Sequence, residues 1–579
     1  MEVRSKLLNS VDRCVDDALE GIVSSNGGLS LLRGHRVVLR SDLQNLKGKV
    51  ALISGGGSGH EPAHVGYIGR GMLSGAVAGA VFASPPPGSI LVAIMTVWQS
   101  GASGVLVLVK NYTGDRLNFG LAIEKARALG VMVDMLIVAE DCAFTQPSKA
   151  GRRGLCGIVL IHKLAGALAE EGCPLDVIVA RMSKAAKNIG TLGVSLSPCS
   201  VPGCLPTFQL PPGHMELGLG IHGEPGIKRL KISSADDVVR TMIDHMTDTA
   251  SQSHLSLKSG DRVVLCVNNL GALSCLEMAV VSRAAINCLV KREVVVARIL
   301  SGSFMTSLEM AGVSISIMKV DEEMLRLFDA KTSASAWPNL STVCESERNV
   351  YIEPAEKPEA PETKASQGEF SATVRSVLEA VCKALLPREE ELNALDRAAG
   401  DGDCGSTHSL AANAIQEWLQ ISTIPENPCL LLTALAGLVE ERMGGSSGAL
   451  YSLFLTAAAP HLQESYDGTD WAKAMQAGTE AMQRYGGAAP GDRTMLDALC
   501  PAVEELKKLT AISPHDHITV LQAAVEKAEV GAESTRNLIA RAGRASYIAS
   551  ERLTQPDPGA VAVAAILRAV FDSLKGKKQ

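Results

Sequence analysis

Three aspartates, Asp396, Asp401 and Asp403, fall close together with Gly400 and Gly402 bending the chain between them. Carboxylates brought this close repel one another unless a hard cation neutralises them. Mg²⁺ suits such a group because it takes oxygen ligands and keeps positions open for water or phosphate. An EF-hand does not fit, since the loop continues through Cys404, Gly405, Ser406, Thr407 and His408 with no glutamate at the twelfth position. A merely solvated acidic loop is the bland alternative, and the tight glycine spacing weighs against it.

A second constellation is built on histidines. The run Val50–Ile53 reads as a strand and leads into Ser54-Gly55-Gly56-Gly57-Ser58-Gly59-His60-Glu61-Pro62. Glycines let a backbone approach a ligand with its N–H groups free. The carboxyl end of a strand in an open α/β sheet is where ligands bind. A dinucleotide fingerprint fails here, because His60 stands where the third glycine belongs. The nucleophile elbow fails for the same residue. A second strand, Gly104–Lys110, ends in Asn111-Tyr112-Thr113-Gly114-Asp115. Lys110 could donate to a substrate oxygen there, and Asp115 could take a hydroxyl proton. An ordinary Asx-type turn is the competing reading. His222 lies among Gly218, Gly220, Gly223 and Gly226. The formal G-x-G-x-x-G match lacks a preceding strand and carries Pro225, so a dinucleotide site is disfavoured. Glycine walls leave the imidazole approachable at a ring nitrogen.

Further glycine turns flank helical patterns. They are Met443–Gly448, Tyr485–Met495 and Gln555–Gly559. Each is a plain helix connection or, if it opens a helix, an anion cradle. Gly444-Gly445-Ser446-Ser447-Gly448 matches G-x-S-x-G, but no strand precedes it, so a hydrolase is rejected. No P-loop occurs. ATP would have to be held through metal-bridged phosphates and helix N-termini.

The elements that must position these residues fall into two halves. The chain has 579 residues, more than one hydrophobic core supports. Around 353–369 it turns to proline and charge, as linkers do. Before this linker, short β-branched runs alternate with helical patterns: Val50–Ser54, Gly104–Lys110, Val131–Ala139 and Asp261–Asn268. These predict an α/β fold with parallel strands, closed by a strand at Val350–Ile352. A crossover between two lobes is expected at Ser197–Pro212. After the linker, Ala372–Leu386, Cys429–Met443, Ala472–Arg484, Thr494–Leu509 and Ala560–Leu574 carry helical spacing, and this half is expected to be all-α.

Composition excludes several classes. A net charge of −7 argues against a nucleic-acid backbone binder, and 3% aromatics against a base-stacking platform. Fourteen cysteines are spread out with no C-x-x-C pair, which favours reduced thiols. The N-terminus lacks a secretory apolar segment, and the best apolar run, Ile90–Trp98, is too short to cross a bilayer. A soluble cytosolic protein is expected, binding neither membrane nor nucleic acid.

GGGSGHEPAH (55–64), KNYTGD (110–115), GLGIHGE (218–224), LNALDRAAGDGDCG (392–405), GGSSGALY (444–451) and GDRTMLDAL (491–499) together resemble the single-chain ATP-dependent dihydroxyacetone kinases. The resemblance covers nearly the whole chain, in order, and its length and pattern look like the animal members. It implies a dihydroxyacetone-binding α/β domain over 9–336, a linker over 337–371, and an ATP-binding helical barrel over 372–571. It implies that dihydroxyacetone and glyceraldehyde are phosphorylated to the triose phosphate. His222 would hold the ketone as a covalent hemiaminal, with His60 and Asp115 assisting proton transfer. Gly57, Ser58, Gly59, His60, Lys110 and Asp115 would contact substrate. Asp396, Asp401 and Asp403 would hold Mg²⁺. The nucleotide would meet Asp401, Gly402, Asp403, Cys404, Ser446, Ser447, Gly486, Thr494, Met495, Pro556, Asp557 and Pro558. Animal members are also associated with splitting FAD into AMP and cyclic FMN, favouring Mn²⁺ or Co²⁺. A homodimer is implied as well. A regulatory binding protein with a spent site is the competing reading, and a regulatory protein partner beside catalysis stays open.

Overall fold

A computed structural model describes residues 4–206, 208–338, 368–463, 467–510 and 517–576. The chain divides into two compact units, Met1–Glu353 and Pro354–Gln579. The strand expected at Val350–Ile352 and most of the linker lie outside the described residues.

The first unit holds two six-stranded sheets. One contains β1 (Leu29–Leu31), β2 (Val37–Arg40), β3 (Val50–Ser58), β4 (Gly75–Val81), β5 (Gly104–Lys110) and β6 (Val133–Val138). Their spatial order is β1-β2-β4-β3-β5-β6, with β4, β3, β5 and β6 parallel. β5 is buried at every residue, which is why its sequence is a continuous apolar run without alternation. β3 runs further than its sequence suggests. Gly55, Gly56 and Gly57, expected to form a loop, stay in the strand, which pairs with β4 with an irregularity between Gly56 and Ser58. A β-carbon at Gly55 would stand 2.2 Å from the Val77 carbonyl oxygen, so only glycine lets β4 lie this close.

The second sheet contains β7 (Ile189–Ser195), β8 (His214–Leu217), β9 (Lys228–Lys231), β10 (Arg262–Asn269), β11 (Val295–Gly302) and β12 (Gly312–Lys319), in the order β11-β10-β12-β7-β8-β9. Here the parallel expectation holds only for β10 with β11. The other pairs are antiparallel. The expected crossover is also displaced. The chain leaves the first sheet at Val138 and enters the second at Ile189, through helices Ile158–Glu170 and Leu175–Ala186. Ser197–Pro212 connects β7 to β8 within one sheet. β7 was missed because two glycines, a threonine and a serine blunt its apolar pattern. Its burial comes from its neighbours, and Thr191 Oγ1 bonds Ser316 Oγ on β12 at 2.8 Å. Helix Ile158–Glu170 is apolar around its circumference and nearly all buried. Its leucines and isoleucines join Leu52, Leu106 and Leu108 of one sheet to Val264, Leu300 and Met318 of the other in a single core.

The second unit is helical, with no strand among its described residues. The five expected helices appear as Glu369–Leu385, Pro428–Arg442, Gly468–Gly486, Leu496–Leu506 and Pro558–Lys575. Local chemistry starts several of them. Asn427 and Asp557 cap with their side chains, and Asp467 closes a reciprocal box with Asp470. The helices line an apolar cavity of about 240 Å³ bordered by residues such as Leu378, Leu435, Phe454 and Leu567. No helix among the described residues is long and apolar enough to cross a membrane. The described cysteines are free.

Candidate active site

In the first unit the histidines predicted from sequence converge from different sheets. His60 follows β3, and His222 lies in the turn after β8. Their ring centroids are 4.9 Å apart, edge to face. Phe82 stacks on His60 at 5.1 Å, and Tyr112 meets His222 at 4.6 Å. The Nδ1–H of His60 donates to the Thr306 carbonyl at 2.8 Å. The other nitrogen, Nε2, therefore carries the lone pair, and it is buried without a partner. Such an atom is placed to accept a proton.

Lys110 ends β5, and Asp115 sits in the first turn of helix Thr113–Ala128 rather than in an isolated Asx turn. Both flank Gly56, where a β-carbon would lie 3.4 Å from Lys110 Nζ and 3.6 Å from Asp115 Oδ2. Lys110 Nζ is buried and unpartnered. Ser84 Oγ donates to Asp115. Gly57 and Gly59 are needed for packing, since β-carbons there would come within 2.7 Å of the Ala83 nitrogen and 2.9 Å of the Phe82 ring. The Ser58 hydroxyl is committed to the Gly79 carbonyl at 2.8 Å.

Burial decides the charge states. It holds His60 well below the usual histidine range and pushes His222 down to about 3, with Lys110 adding to both effects. Both rings are therefore neutral near pH 7, with lone pairs available. Burial lowers Lys110 and raises Asp115, each opposed by attraction to the other. Below them His64 and His162 form a buried pair, Nδ1 to Nε2 at 3.1 Å.

Burial also pushes His162 down to about 3. The unfolded chain titrates this group near its ordinary value of about 6.5. Below that pH the unfolded state binds a proton that the native state refuses. The stability held by a neutral His162 is complete above about pH 6.5 and is lost as pH falls toward 3. The slope is about 1.4 kcal/mol per pH unit. His162→Gln is expected to flatten the fall in unfolding free energy between about pH 6.5 and about pH 5 by that amount in urea titrations. An unchanged slope would contradict the assignment.

In the second unit the three aspartates each bring an oxygen within 4.8 Å of the others. Asp396 makes this possible. Its Oδ2 accepts the backbone N–H groups of Gly402, Asp403 and Cys404 at 3.0, 2.9 and 3.2 Å, folding the acidic loop over it. Three converging carboxylate oxygens form a hard donor set that fits Mg²⁺. The cleft beside them, about 210 Å³, is lined by Asp396, Asp401, Asp403, Cys404, Ser446, Ser447, Thr494, Met495, Asp557 and Pro558. Gly402, Gly486 and Pro556 are not among its lining residues. Gly486 is the exposed end of helix Gly468–Gly486. Helices Cys404–Ile421, Gly445–Ala458, Leu496–Leu506 and Pro558–Lys575 all begin at this cleft. Their N-terminal N–H groups and dipoles favour phosphate. Desolvation pushes the Asp557 carboxyl up to about 6 and the Cys404 thiol to about 12, so Cys404 is a wall and not a nucleophile.

Residues 20–336 match the Dak1 domain and 398–572 the DAK2 domain. The chain is similar to the Triokinase/FMN cyclase of Rattus norvegicus, 58% identical over 99% of each chain. It is 57% identical to that of Homo sapiens, over 98% of this chain and 99% of the other. The crystal structure of the dihydroxyacetone kinase from C. freundii in complex with AMP-PNP and Mg²⁺ superposes with a TM-score of 0.66. It is 36% identical and covers 99% of this chain and 100% of that one. The chain belongs to the dihydroxyacetone kinase family.

Several residues around the two candidate sites carry no sequence signal of the part they take. Phe82 sits at φ 58° and packs against both histidines. Arg153 donates to the Gly218 carbonyl at 2.7 Å and pairs with buried Asp141 at 2.6 Å, bracing the His222 turn. Glu224 accepts the His222 backbone N–H at 2.9 Å. In the second unit Arg493 is 1% exposed, and its Nη2 donates to the Gln555 carbonyl. Arg544 pairs with Asp401. Arg493 and Glu224 lie inside recognisable motifs, so their positions were legible although their roles were not.

Proposed function

We propose that the chain transfers a phosphoryl group from ATP to dihydroxyacetone, and also to glyceraldehyde, giving the triose phosphate. The convergence of His60 and His222 at 4.9 Å carries this reading. It sets an imidazole nucleophile beside an imidazole base. The neutral His222 ring nitrogen adds to the substrate carbonyl carbon. The ring gives up its N–H proton and the carbonyl oxygen gains one, leaving a hemiaminal. Lys110 donates to a substrate oxygen, and Tyr112 and Phe82 shape the pocket around it. His60 Nε2 takes the proton of the reacting hydroxyl, and Asp115 assists the transfer. Glycerol has no carbonyl and forms no adduct, which gives the site its selectivity. Asp396, Asp401 and Asp403 would hold Mg²⁺, which supplies charge neutralisation at the phosphates. Helix N-termini at the cleft bind the remaining phosphate oxygens.

The chain is an ATP-dependent triose kinase with an FMN cyclase activity, the second acting on FAD. We assign FAD cleavage to the aspartate cleft, because ATP and FAD share an adenylate and a diphosphate. Mn²⁺ or Co²⁺ favours that reaction. The functional domains run over 9–336 and 372–571 with a linker between, and the protein works as a homodimer in the cytosol. A turnover assay with dihydroxyacetone, glyceraldehyde, glycerol and FAD, each with Mg²⁺ and with Mn²⁺, tests this. Triose phosphate should form with Mg²⁺ and not from glycerol. Cyclic FMN should form faster with Mn²⁺. Equal phosphorylation of glycerol and dihydroxyacetone would overturn the hemiaminal.

A further inference from the structure

The two histidines belong to separate segments of the chain, and a third segment joins them. It is the connection from β11 to β12. Thr306 and Leu308 dock on the His60 segment. The Thr306 carbonyl accepts His60 Nδ1–H at 2.8 Å, and Thr306 N–H returns to the His60 carbonyl at 3.2 Å. Thr306 Oγ1 donates to the Glu61 carbonyl at 2.8 Å, and Leu308 N–H to the Gly59 carbonyl at 2.9 Å. Between them Ser307 faces the other way. It is fully buried, and its Oγ donates to the Ile221 carbonyl at 2.7 Å, one residue before His222.

The connection is itself held firmly. Asn268 at the end of β10 is fully buried, and its Oδ1 accepts the N–H groups of Phe304 and Met305 at 2.8 and 2.9 Å. Its Nδ2 donates to the Met305 carbonyl at 2.7 Å. Glu309, at the far end, accepts from Lys6 Nζ and Ser200 Oγ, each at 2.6 Å. A segment anchored at both ends thus grips one histidine through backbone and the other through a single hydroxyl.

We propose that Ser307 is a positioning residue for phosphorylation, stapling the His222 turn to the His60 segment so that nucleophile and base keep their mutual geometry. The inference rests on the reading of His60 and His222 as reacting groups. Without the Ser307 hydroxyl the Ile221 carbonyl loses its donor in a buried setting, and the turn shifts to find another. Displacement of a reacting group by about 1 Å costs about 10²-fold in rate. The staple lies within the first unit and the three aspartates within the second.

The test uses full-length Ser307→Ala and Ser307→Thr, with dihydroxyacetone kinetics, ATP KM and FAD cleavage measured on the same preparations. For Ser307→Ala, dihydroxyacetone kcat/KM should fall about 10²-fold, shared between kcat and KM, with ATP KM and FAD cleavage unchanged. Ser307→Thr keeps the donor and should recover most of the loss. Dihydroxyacetone kinetics within about threefold of the parent in Ser307→Ala overturns the proposal, and so does an equal loss in both variants, as a purely structural role would give. Should Ser307→Ala yield no folded protein, Ser307→Cys decides. It keeps the side-chain shape and weakens the donor to the Ile221 carbonyl, and a fall of about tenfold supports the staple while unchanged kinetics overturns it. His222→Ala tests the underlying reading separately, because it should abolish ketone turnover where Ser307→Ala only slows it.

Discussion

His222→Ala is expected to lose dihydroxyacetone phosphorylation by at least about 10³-fold while FAD cleavage proceeds at the parental rate. The size of the effect follows from what the ring does. Burial holds it neutral, with a pKa pushed down to about 3, so its lone pair is available throughout the physiological range. Tyr112, Phe82 and His60 surround it with centroids 4.6, 5.3 and 4.9 Å away and fix its plane. Alanine removes the proposed nucleophile and leaves a gap between these rings, so a small ketone is expected to lose both capture and orientation. Under the proposed function FAD cleavage needs neither, since its adenylate and diphosphate are assigned to the aspartate cleft of the second unit. Measuring triose phosphate and cyclic FMN from one preparation separates the two. Ketone turnover above about a tenth of the parent, or parallel loss of both activities, would refute the assignment.

Asp403→Asn should do the opposite and remove both activities together, by about 10² to 10³-fold. Asp403 is exposed and precedes helix Cys404–Ile421 without a side-chain capping bond, so the substitution costs the fold little, about 0.5 kcal/mol or less. It removes one of the three carboxylate oxygens that lie within 4.8 Å of one another. A cation held by the remaining two binds more weakly, so activity should return partly as Mg²⁺ or Mn²⁺ is raised. Asp396→Asn would be a poorer test, because Asp396 Oδ2 also collects three backbone N–H groups and its loss disturbs the loop. A metal titration of the Asp403 variant that overlays the parental curve for either reaction would show that this carboxylate is not a ligand for it.

The proposed ketone-binding and cation-binding groups lie in different units, and the division into an α/β unit and a helical unit was legible in the sequence. β-branched runs such as Gly104–Lys110 and helical runs such as Pro558–Lys575 announce themselves through neighbours a few positions away, where propensity and periodicity act. The acidic loop was equally legible, because glycines and carboxylates in one short stretch have few other uses. The candidate residues His60, Lys110, Asp115 and His222 could be named one by one for the same reason.

What the sequence by itself determined, then, is the inventory: an α/β half, a helical half, and the groups in each able to do chemistry. Tertiary structure decided their company. β3 carries its glycines inside a strand because the Val77 carbonyl of β4 closes on Gly55. β7 is a strand because its sheet neighbours bury it, although its own pattern is weak. His60 and His222 become partners only because one core packs the two sheets around helix Ile158–Glu170, and because Thr306 and Ser307 reach both segments. Contacts of that kind depend on pairing and packing between residues far apart in the chain. Local periodicity carries no record of them, so they are fixed only when the whole unit folds.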